Sequence, residues 1–411
     1  MSMLSWRMFP GTKYASGKGG MQKAIYLDYQ ASTPVDPRVV AEMLPLLQDG
    51  FGNPHSSDHI FGWRATEVVE QARQKIAATI RADSDEILFT SGATESNNLA
   101  LFGALRKNIK SKNNKILVSA IEHKCVIESV NRLADEYGAI VRLIPVSCNG
   151  IVDVNFIESE LKKEPRVSLV SVMGVNNEVG SIQPINEIGR LTRDYGAIFH
   201  CDAAQSLATL DIDVFYDNVD LLSISGHKIY GPQGIGALFV RRELQDRMEA
   251  LIYGGGQQVG LRSGTVPVFL CTGLAAAVEI LQKEKAAGEC DVVACKRNRF
   301  VEGIVGGRFP VYLNGPPLKM RHQGNANLLF RGLSNHDIIA ALQPTIAAST
   351  GSACTSGTLE PSYVLRAMGL TDEDASSSIR FSIGRFTTDE EIECAIGAII
   401  TVLNRLTADW R

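Results

Sequence analysis

Four short segments carry residues able to do chemistry, and each follows a short apolar run. Ser91-Gly92-Ala93-Thr94-Glu95-Ser96-Asn97-Asn98 is a small-residue turn that opens a helical stretch. Such a turn turns the N–H groups of Ala93 and its neighbours outward at the positive end of a helix dipole. That makes an anion site, to which Thr94 adds a hydroxyl. Taken alone, the segment reads equally well as an ordinary capped helix. His200-Cys201-Asp202-Ala203-Ala204-Gln205-Ser206 sets an acid, Asp202, at a strand end, where it caps a helix or faces a cationic ring nitrogen. Ser225-Gly226-His227-Lys228 sets a lysine just past a buried strand and among glycines. Burial favours the neutral amine, so Lys228 is a Schiff-base candidate, and Ser225 and His227 are further phosphate donors. Glu122-His123-Lys124 offers an imidazole ring that stacks on a planar cofactor or serves as an ordinary structural histidine.

Together these are the parts of a pyridoxal 5'-phosphate site: a phosphate turn, a ring stacker, an acid for a pyridinium nitrogen and a lysine for an aldehyde. Two more residues stand out. Cys354 lies in Ala348-Ser349-Thr350-Gly351-Ser352-Ala353-Cys354-Thr355-Ser356-Gly357-Thr358, a small and polar stretch expected to be a loop with a reactive thiol. Arg380, in Ser378-Ile379-Arg380-Phe381, has the forked guanidinium that clamps a carboxylate. Alone, each reads as an accidental surface cysteine or a surface ion pair.

The elements that must position these residues alternate along the chain. Thr66–Ile80 places Val68, Val69, Ala72, Ile76 and Ile80 on one helical face. Apolar strands are expected at Ile87–Phe89, Ile116–Val118, Ser168–Val172, Ala197–Phe199, Asp220–Ile224 and Gly236–Val240. Short apolar strands between helices predict an α/β fold with a mostly parallel sheet covered on both faces. Ligands in such sheets bind beyond the carboxyl ends of the strands, where the four segments fall. Leu270–Ile280 reads as a long buried helix, and polar Lys283–Glu289 as the start of a second unit. The expected division is an extension over 1–24, a large cofactor-binding domain over 25–285 and a smaller α+β domain over 286–411 that carries Cys354. The segment Ile25–Leu27 is left free to pair with either domain.

The chain has 411 residues, with 41 Lys+Arg against 45 Asp+Glu, a net charge of −4. That balance excludes a dedicated nucleic-acid or anionic-membrane binder. No apolar run approaches the ~18 residues of a membrane span. The eight cysteines are scattered without a Cys-x-x-Cys pair, so free thiols in a reducing compartment are expected and no metal site. Cys125 and Cys201 read as small buried hydrophobes. The first 24 residues hold Arg7, Lys13, Lys18 and Lys23 and no acid. The expected location is the cytoplasm, or a mitochondrion or plastid if that stretch is a transit peptide.

Across about residues 25–405 the chain resembles the cysteine desulfurases, in the NifS/IscS-like, long-loop branch of the class-V aminotransferase family. The resemblance is carried by Tyr26-Leu27-Asp28-Tyr29, Thr90–Asn98, Val175-Asn176-Asn177-Glu178, the Asp202 segment, Ser225–Lys228, Arg262-Ser263-Gly264-Thr265, the Cys354 stretch with Glu360–Leu365, and Ile379–Phe386. It implies the aspartate-aminotransferase-like fold and a homodimer that converts L-cysteine to L-alanine. Lys228 then bonds the cofactor and moves protons, Asp202 pairs with the ring nitrogen, Gln205 with the ring hydroxyl, and His123 stacks on the ring. Thr94, Ser225 and His227 hold the phosphate, and Thr265 reaches it from the partner subunit. Asn176 and Arg380 bind the substrate carboxylate. Cys354 takes the sulfur as a persulfide and passes it to acceptor proteins for iron–sulfur cluster, thiolated tRNA or DNA phosphorothioate synthesis. A selenocysteine lyase, or another sulfur lyase, is the competing reading.

Two departures stand against that pattern. Gln257-Gln258-Val259 follows Gly254-Gly255-Gly256, where the family has a Glu and then a basic residue. The expectation is a loss of charge beside the dimer-facing segment. Relatives that dock an iron–sulfur scaffold extend further past the last helix, and the sequence does not choose among the acceptors.

Overall fold

The computed structural model describes residues 24–106, 114–350 and 360–408. Its strands, in chain order, are β1 (Ile25–Tyr26), β2 (Ile87–Thr90), β3 (Lys115–Ser119), β4 (Ile140–Ile144), β5 (Val167–Ser171) and β6 (Ile198–Asp202). They continue with β7 (Leu221–Ser225), β8 (Gly236–Val240), β9 (Val311–Leu313), β10 (Asn325–Phe330), β11 (Ile346–Ala347) and β12 (Ser378–Ser382). The first helices are α1 (Pro37–Gln48), α2 (Ile60–Ile80), α3 (Ala93–Leu105) and α4 (Lys124–Tyr137).

Seven strands form the central sheet in the order β2-β8-β7-β6-β5-β3-β4. The pairings from β7 through β4 are parallel, whereas β8 runs antiparallel to both β7 and β2. Because β8 reverses twice over, β2 points the same way as the parallel strands. The turn after Thr90 therefore emerges on the same side as the ends of β6 and β7. The reversal of β8 and the edge strand β4 are the sheet's two departures from the expected pattern. In β4, Ile140 and Leu143 are exposed and Arg142 interrupts the apolar run, so the buried-strand signal is missing.

Both faces of this sheet are covered. On one, α2 lays Ala65, Val69, Ala72, Ile76 and Ile80 into a core with Phe89, Phe199 and Phe239. On the other, α3 and α4 pack Leu99, Phe102, Val126 and Leu133 against Leu88, Ile116 and Leu238. The helix Val268–Ala286 runs through most of the polar stretch read as a boundary, and the break falls at Ala287–Gly288, ahead of the helix Glu289–Ile304.

A second core gathers around the antiparallel sheet β12-β10-β9. Ile25 and Leu27 belong to it, because β1 pairs with β11 and Asp28 bridges to Ser382 beside β1. The described chain thus starts in the smaller core before entering the larger one.

Outward-facing groups of edge strand β2 are taken by two side chains and one carbonyl. Phe89 N–H donates to Gln258 Oε1 at 2.7 Å, and Gln258 Nε2 returns a bond to Phe89 O at 2.9 Å. Arg73 Nε reaches Ile87 O at 3.2 Å, and Ile87 N–H donates to Ser84 O.

Candidate active site

A cavity of about 460 Å³ opens at the carboxyl ends of the parallel strands. Its size is ordinary for a small-molecule site. Its wall contains Ala93, Thr94, His123, Asp202, Gln205, Ser225, His227, Lys228 and Arg380, so nine residues singled out in the sequence converge there.

The phosphate turn is shaped by glycine in two places. Gly92 caps α3 at φ +148°, a conformation that a side chain disfavours. Gly236 of β8 lies directly beneath, and a Cβ there would sit 2.6 Å from Gly92 Cα. The register sets Thr90 and Ser225 on either side of Gly236, so the turn and the end of β7 are held side by side. Glu95, in the first turn of α3, accepts Ser91 N–H at 2.7 Å and Arg262 Nε at 2.8 Å. Burial pushes that carboxyl up, but its hydrogen bonds outweigh burial and hold it below the usual value.

Asp202 is 4% exposed, with Asn97 Nδ2 on Oδ2 at 2.7 Å and Ala204 N–H on Oδ1 at 2.9 Å. A buried carboxylate at this depth, with one neutral donor on each oxygen, suits a cationic partner in the cavity. Lys228 Nζ donates to the carbonyls of Gln30 and Ala31, each at 2.8 Å, and Gln205 Nε2 also donates to Gln30 O. Main-chain oxygens therefore hold both side chains at the cavity floor. His227 is pushed down to about 4 by burial and by Lys228, so at neutral pH it meets an anion as a neutral imidazole. Glu122 is fully buried, and burial and then Asp202 raise it to about 8; its carboxyl receives Met173 N–H. It carries a proton at neutral pH.

The substrate side is made differently. Arg380 comes from β12, and its NH2 group pairs with Asp28 at 2.7 Å while NH1 donates to Asn177 O at 2.9 Å. Three distant parts of the chain thus fix one guanidinium. Taken as a set, a glycine-shaped anion turn, a buried acid, a lysine on the cavity floor and a flat ring at the wall fit pyridoxal 5'-phosphate.

Comparison with known proteins agrees. Residues 25–394 match the class-V aminotransferase family. A probable mitochondrial cysteine desulfurase of Dictyostelium discoideum is 47% identical over 390 residues, covering 95% of this chain and 85% of that protein. The cysteine desulfurase IscS of Rickettsia bellii is 49% identical over 382 residues, 93% of this chain and 92% of that one. The chain belongs to the cysteine desulfurases. The solved structure of SspA in complex with cysteine has a TM-score of 0.78 at 36% identity, over 89% of this chain and 100% of that one.

Against this cysteine desulfurase framework, two expectations need correction. Asn176 is fully buried: its Oδ1 accepts the N–H groups of Glu178 and Val179, and its Nδ2 donates to Ile121 O. It builds a turn, and the residue this turn delivers to the cavity wall is its neighbour Asn177. Cys125 is not a buried hydrophobe but part of the cavity wall, 3.0 Å from His123 Nδ1. A cysteine two residues from a candidate imidazole was the signal. Cys201 is buried as expected, and burial, then Asp202, raise its thiol far above the ordinary value.

The Gln257–Val259 departure also has a structural account. Gln258 is 7% exposed and seals β2, which needs an amide donor toward Phe89 O that a carboxylate lacks. Gln257 Oε1 accepts Gly264 N–H at 2.9 Å. Thr265 is exposed and does not line the cavity of its own chain. Cys354 lies outside the described residues. Among those that are described, no helix is long and apolar enough to cross a membrane.

Proposed function

We propose that the protein uses pyridoxal 5'-phosphate to convert L-cysteine to L-alanine, and that Cys354 takes the sulfur as a persulfide for delivery to an acceptor protein. The convergence of Lys228, Asp202, His123 and Arg380 on one cavity carries this reading. The cysteine bound to SspA, a structural neighbour, supports the substrate.

When bound, the cofactor supplies an electron-withdrawing ring. Lys228 Nζ would hold the cofactor through its aldehyde and would move protons in the cavity. Asp202 would pair with the protonated ring nitrogen, Gln205 would bond the ring hydroxyl, and His123 would stack on the ring. The N–H of Ala93, with Thr94, Ser225 and His227, holds the phosphate. Arg380 binds the substrate carboxylate, with Asn177 in the place first assigned to Asn176. A homodimer is supported by two features. Thr265 sits on an exposed segment of its own chain. Nearby Tyr253 is 76% exposed and Val259 69%, large apolar surface for a partner subunit to cover. We propose the acceptor as a thiol-bearing protein serving iron–sulfur cluster, thiolated tRNA or phosphorothioate synthesis. The mitochondrial Dictyostelium relative supports an organelle as one location.

The test is alanine released from L-cysteine by the cofactor-loaded chain with a thiol reductant. Alanine in excess of enzyme is expected; none, with the cofactor's yellow colour retained, overturns the reading. A Cys354→Ser variant is expected to lose cysteine turnover. If it keeps that turnover, the nucleophile is misassigned and a lyase that does not use this thiol takes its place.

A further inference from the structure

The described residues stop at Thr350 and resume at Glu360, on either side of Cys354 in the sequence. Chain on both sides is bonded to the same part of the cavity wall. On the near side, Ser349 N–H donates to Arg380 O at 3.2 Å, and Arg380 N–H returns a bond to Ser349 O at 2.8 Å. On the far side, Ser362 Oγ donates to Glu178 Oε2 at 2.6 Å. Glu178 directly follows Asn177, whose carbonyl holds the Arg380 guanidinium at 2.9 Å. One short unit, Arg380 with Asn177-Glu178, thus receives both sides.

Glu178 and Ser362 are both buried. Ser362 caps the helix Tyr363–Ala367, its Oγ accepting Leu365 N–H at 3.2 Å, and its one hydroxyl hydrogen goes to the carboxyl. The next residue, Tyr363, donates its hydroxyl to the carbonyl of Glu122, the chain neighbour of His123. Val364, Leu365 and Met368 share a small apolar cluster with Ile121 and Val179, so packing alone already docks this helix. A buried carboxyl adds a cost that an apolar pair of the same size would avoid. What the hydroxyl–carboxyl bond adds is direction. It fixes the start of the helix at one distance and angle from the Arg380 clamp. Glu178 is itself tied down, because its carbonyl accepts Asn325 Nδ2 at 2.9 Å and Asn327 Nδ2 at 3.1 Å.

We infer that Glu178, acting through Ser362, is a positioning residue for Cys354: it sets the chain that carries the thiol at a fixed place relative to the clamp for the substrate carboxylate. The inference rests on the proposed reaction. There the Cys354 sulfur bonds the substrate sulfur while the substrate's Cβ–S bond breaks. The three-carbon part keeps the electron pair of that bond and takes up one proton, matching the one the Cys354 thiol gives up. Alanine and a persulfide are the products, and no outside oxidant or reductant is needed. Such an attack needs the two sulfurs in line at near contact, and a misplacement of about 1 Å costs on the order of 10²-fold. Exchange of the α-hydrogen of a bound amino acid does not use the thiol, so it does not depend on that placement.

The test uses the full-length, cofactor-loaded protein and two readouts. One is the rate at which a persulfide appears on Cys354 in a single turnover of L-cysteine, followed by mass spectrometry. The other is the exchange of the α-hydrogen of L-alanine with heavy water, followed by proton NMR. Ser362→Ala is expected to slow the persulfide by about 10- to 100-fold and to leave the exchange as in the parent. Glu178→Ala is expected to lower the ratio of the two rates by the same factor, and the double variant to lower it no further. Glu178→Gln keeps an oxygen for the Ser362 hydroxyl and is expected to recover most of the ratio. Equal slowing of both readouts marks a merely structural role and overturns the inference, as do additive losses in the double variant. A parent that forms no persulfide overturns the proposed reaction and the inference with it. A parent that forms it, beside an unchanged ratio in Ser362→Ala, overturns the inference alone.

Discussion

The cavity wall made by the central sheet and the wall made by β12 differ in what carries their groups. On the cofactor side, Asp202 ends β6, Lys228 follows β7 by three residues, and the phosphate turn follows β2 directly. Each group leaves the end of its own strand, and distant partners then hold it: Gln30 and Ala31 for Lys228, and Asn97 for Asp202. On the substrate side, Arg380 is aimed by Asp28 and by the carbonyl of Asn177, 352 and 203 residues away. The first kind of wall gathers its groups at the strand ends of one sheet. The second exists only once both cores have formed and met.

That contrast predicts where substitutions act. Lys228→Ala should have the largest effect, with alanine formation falling by on the order of 10³-fold or more while the fold melts normally. A steady-state assay beside a thermal melt checks it, and substantial residual turnover would move the cofactor-bonding lysine elsewhere. Arg380→Lys should spare cofactor binding but raise KM for L-cysteine by about 10- to 100-fold, the loss of roughly 1.5–3 kcal/mol of charge-assisted hydrogen bonding. Asp28→Asn should give a weaker version of that defect, because the amide keeps an oxygen for the guanidinium but loses the charge that strengthens the bond. Equal defects in cofactor binding from either change would erase the contrast between the walls.

The neighbouring asparagines sharpen the comparison further. Asn177→Ala should raise KM with little change in melting temperature. Asn176→Ala should destabilise by about 1–3 kcal/mol, since it strands the buried N–H groups of Glu178 and Val179. The reverse pairing of outcomes would restore Asn176 as the substrate ligand.

The smallest effect belongs to Glu122 and appears only with pH. Its folded value of about 8 lies above the ordinary 4.5, so its contribution to stability is present below about pH 4.5 and drains away as pH rises through 8. Glu122→Gln keeps an oxygen for Met173 N–H and cannot ionise. It should melt within about 1 °C of the parent at pH 4.5 and about 2 °C above it at pH 8.5. Parallel melting curves across that range would show that the carboxyl is not held protonated.

The same division governs what could be read in advance. The cofactor wall was legible because each group sits in a short segment beside an apolar run, and strand ends are where such sheets bind ligands. The paired reversal at β8 was not, since Gly236–Val240 reads the same whichever way its neighbours run. Asn176 and Asn177 are adjacent and chemically identical, and only the turn closed by Glu178 N–H decides which one faces the cavity. Cys125 looks like packing until the cap of α4 brings His123 back onto it. Ile25–Leu27 could have joined either core, and its pairing with β11 is set by a strand more than 300 residues later.

The bonds made by Arg73 and Gln258 along β2 bear on how the protein behaves in a crowded solution. An edge strand with open N–H and C=O groups is a template on which another chain can add a strand, the first step toward aggregates. Here Ser84 through its carbonyl, and Arg73 and Gln258 through their side chains, occupy the outward groups of Ile87 and Phe89 as a further strand would. This edge of the sheet is finished by residues that cannot themselves carry a further strand, so growth at β2 stops within the molecule.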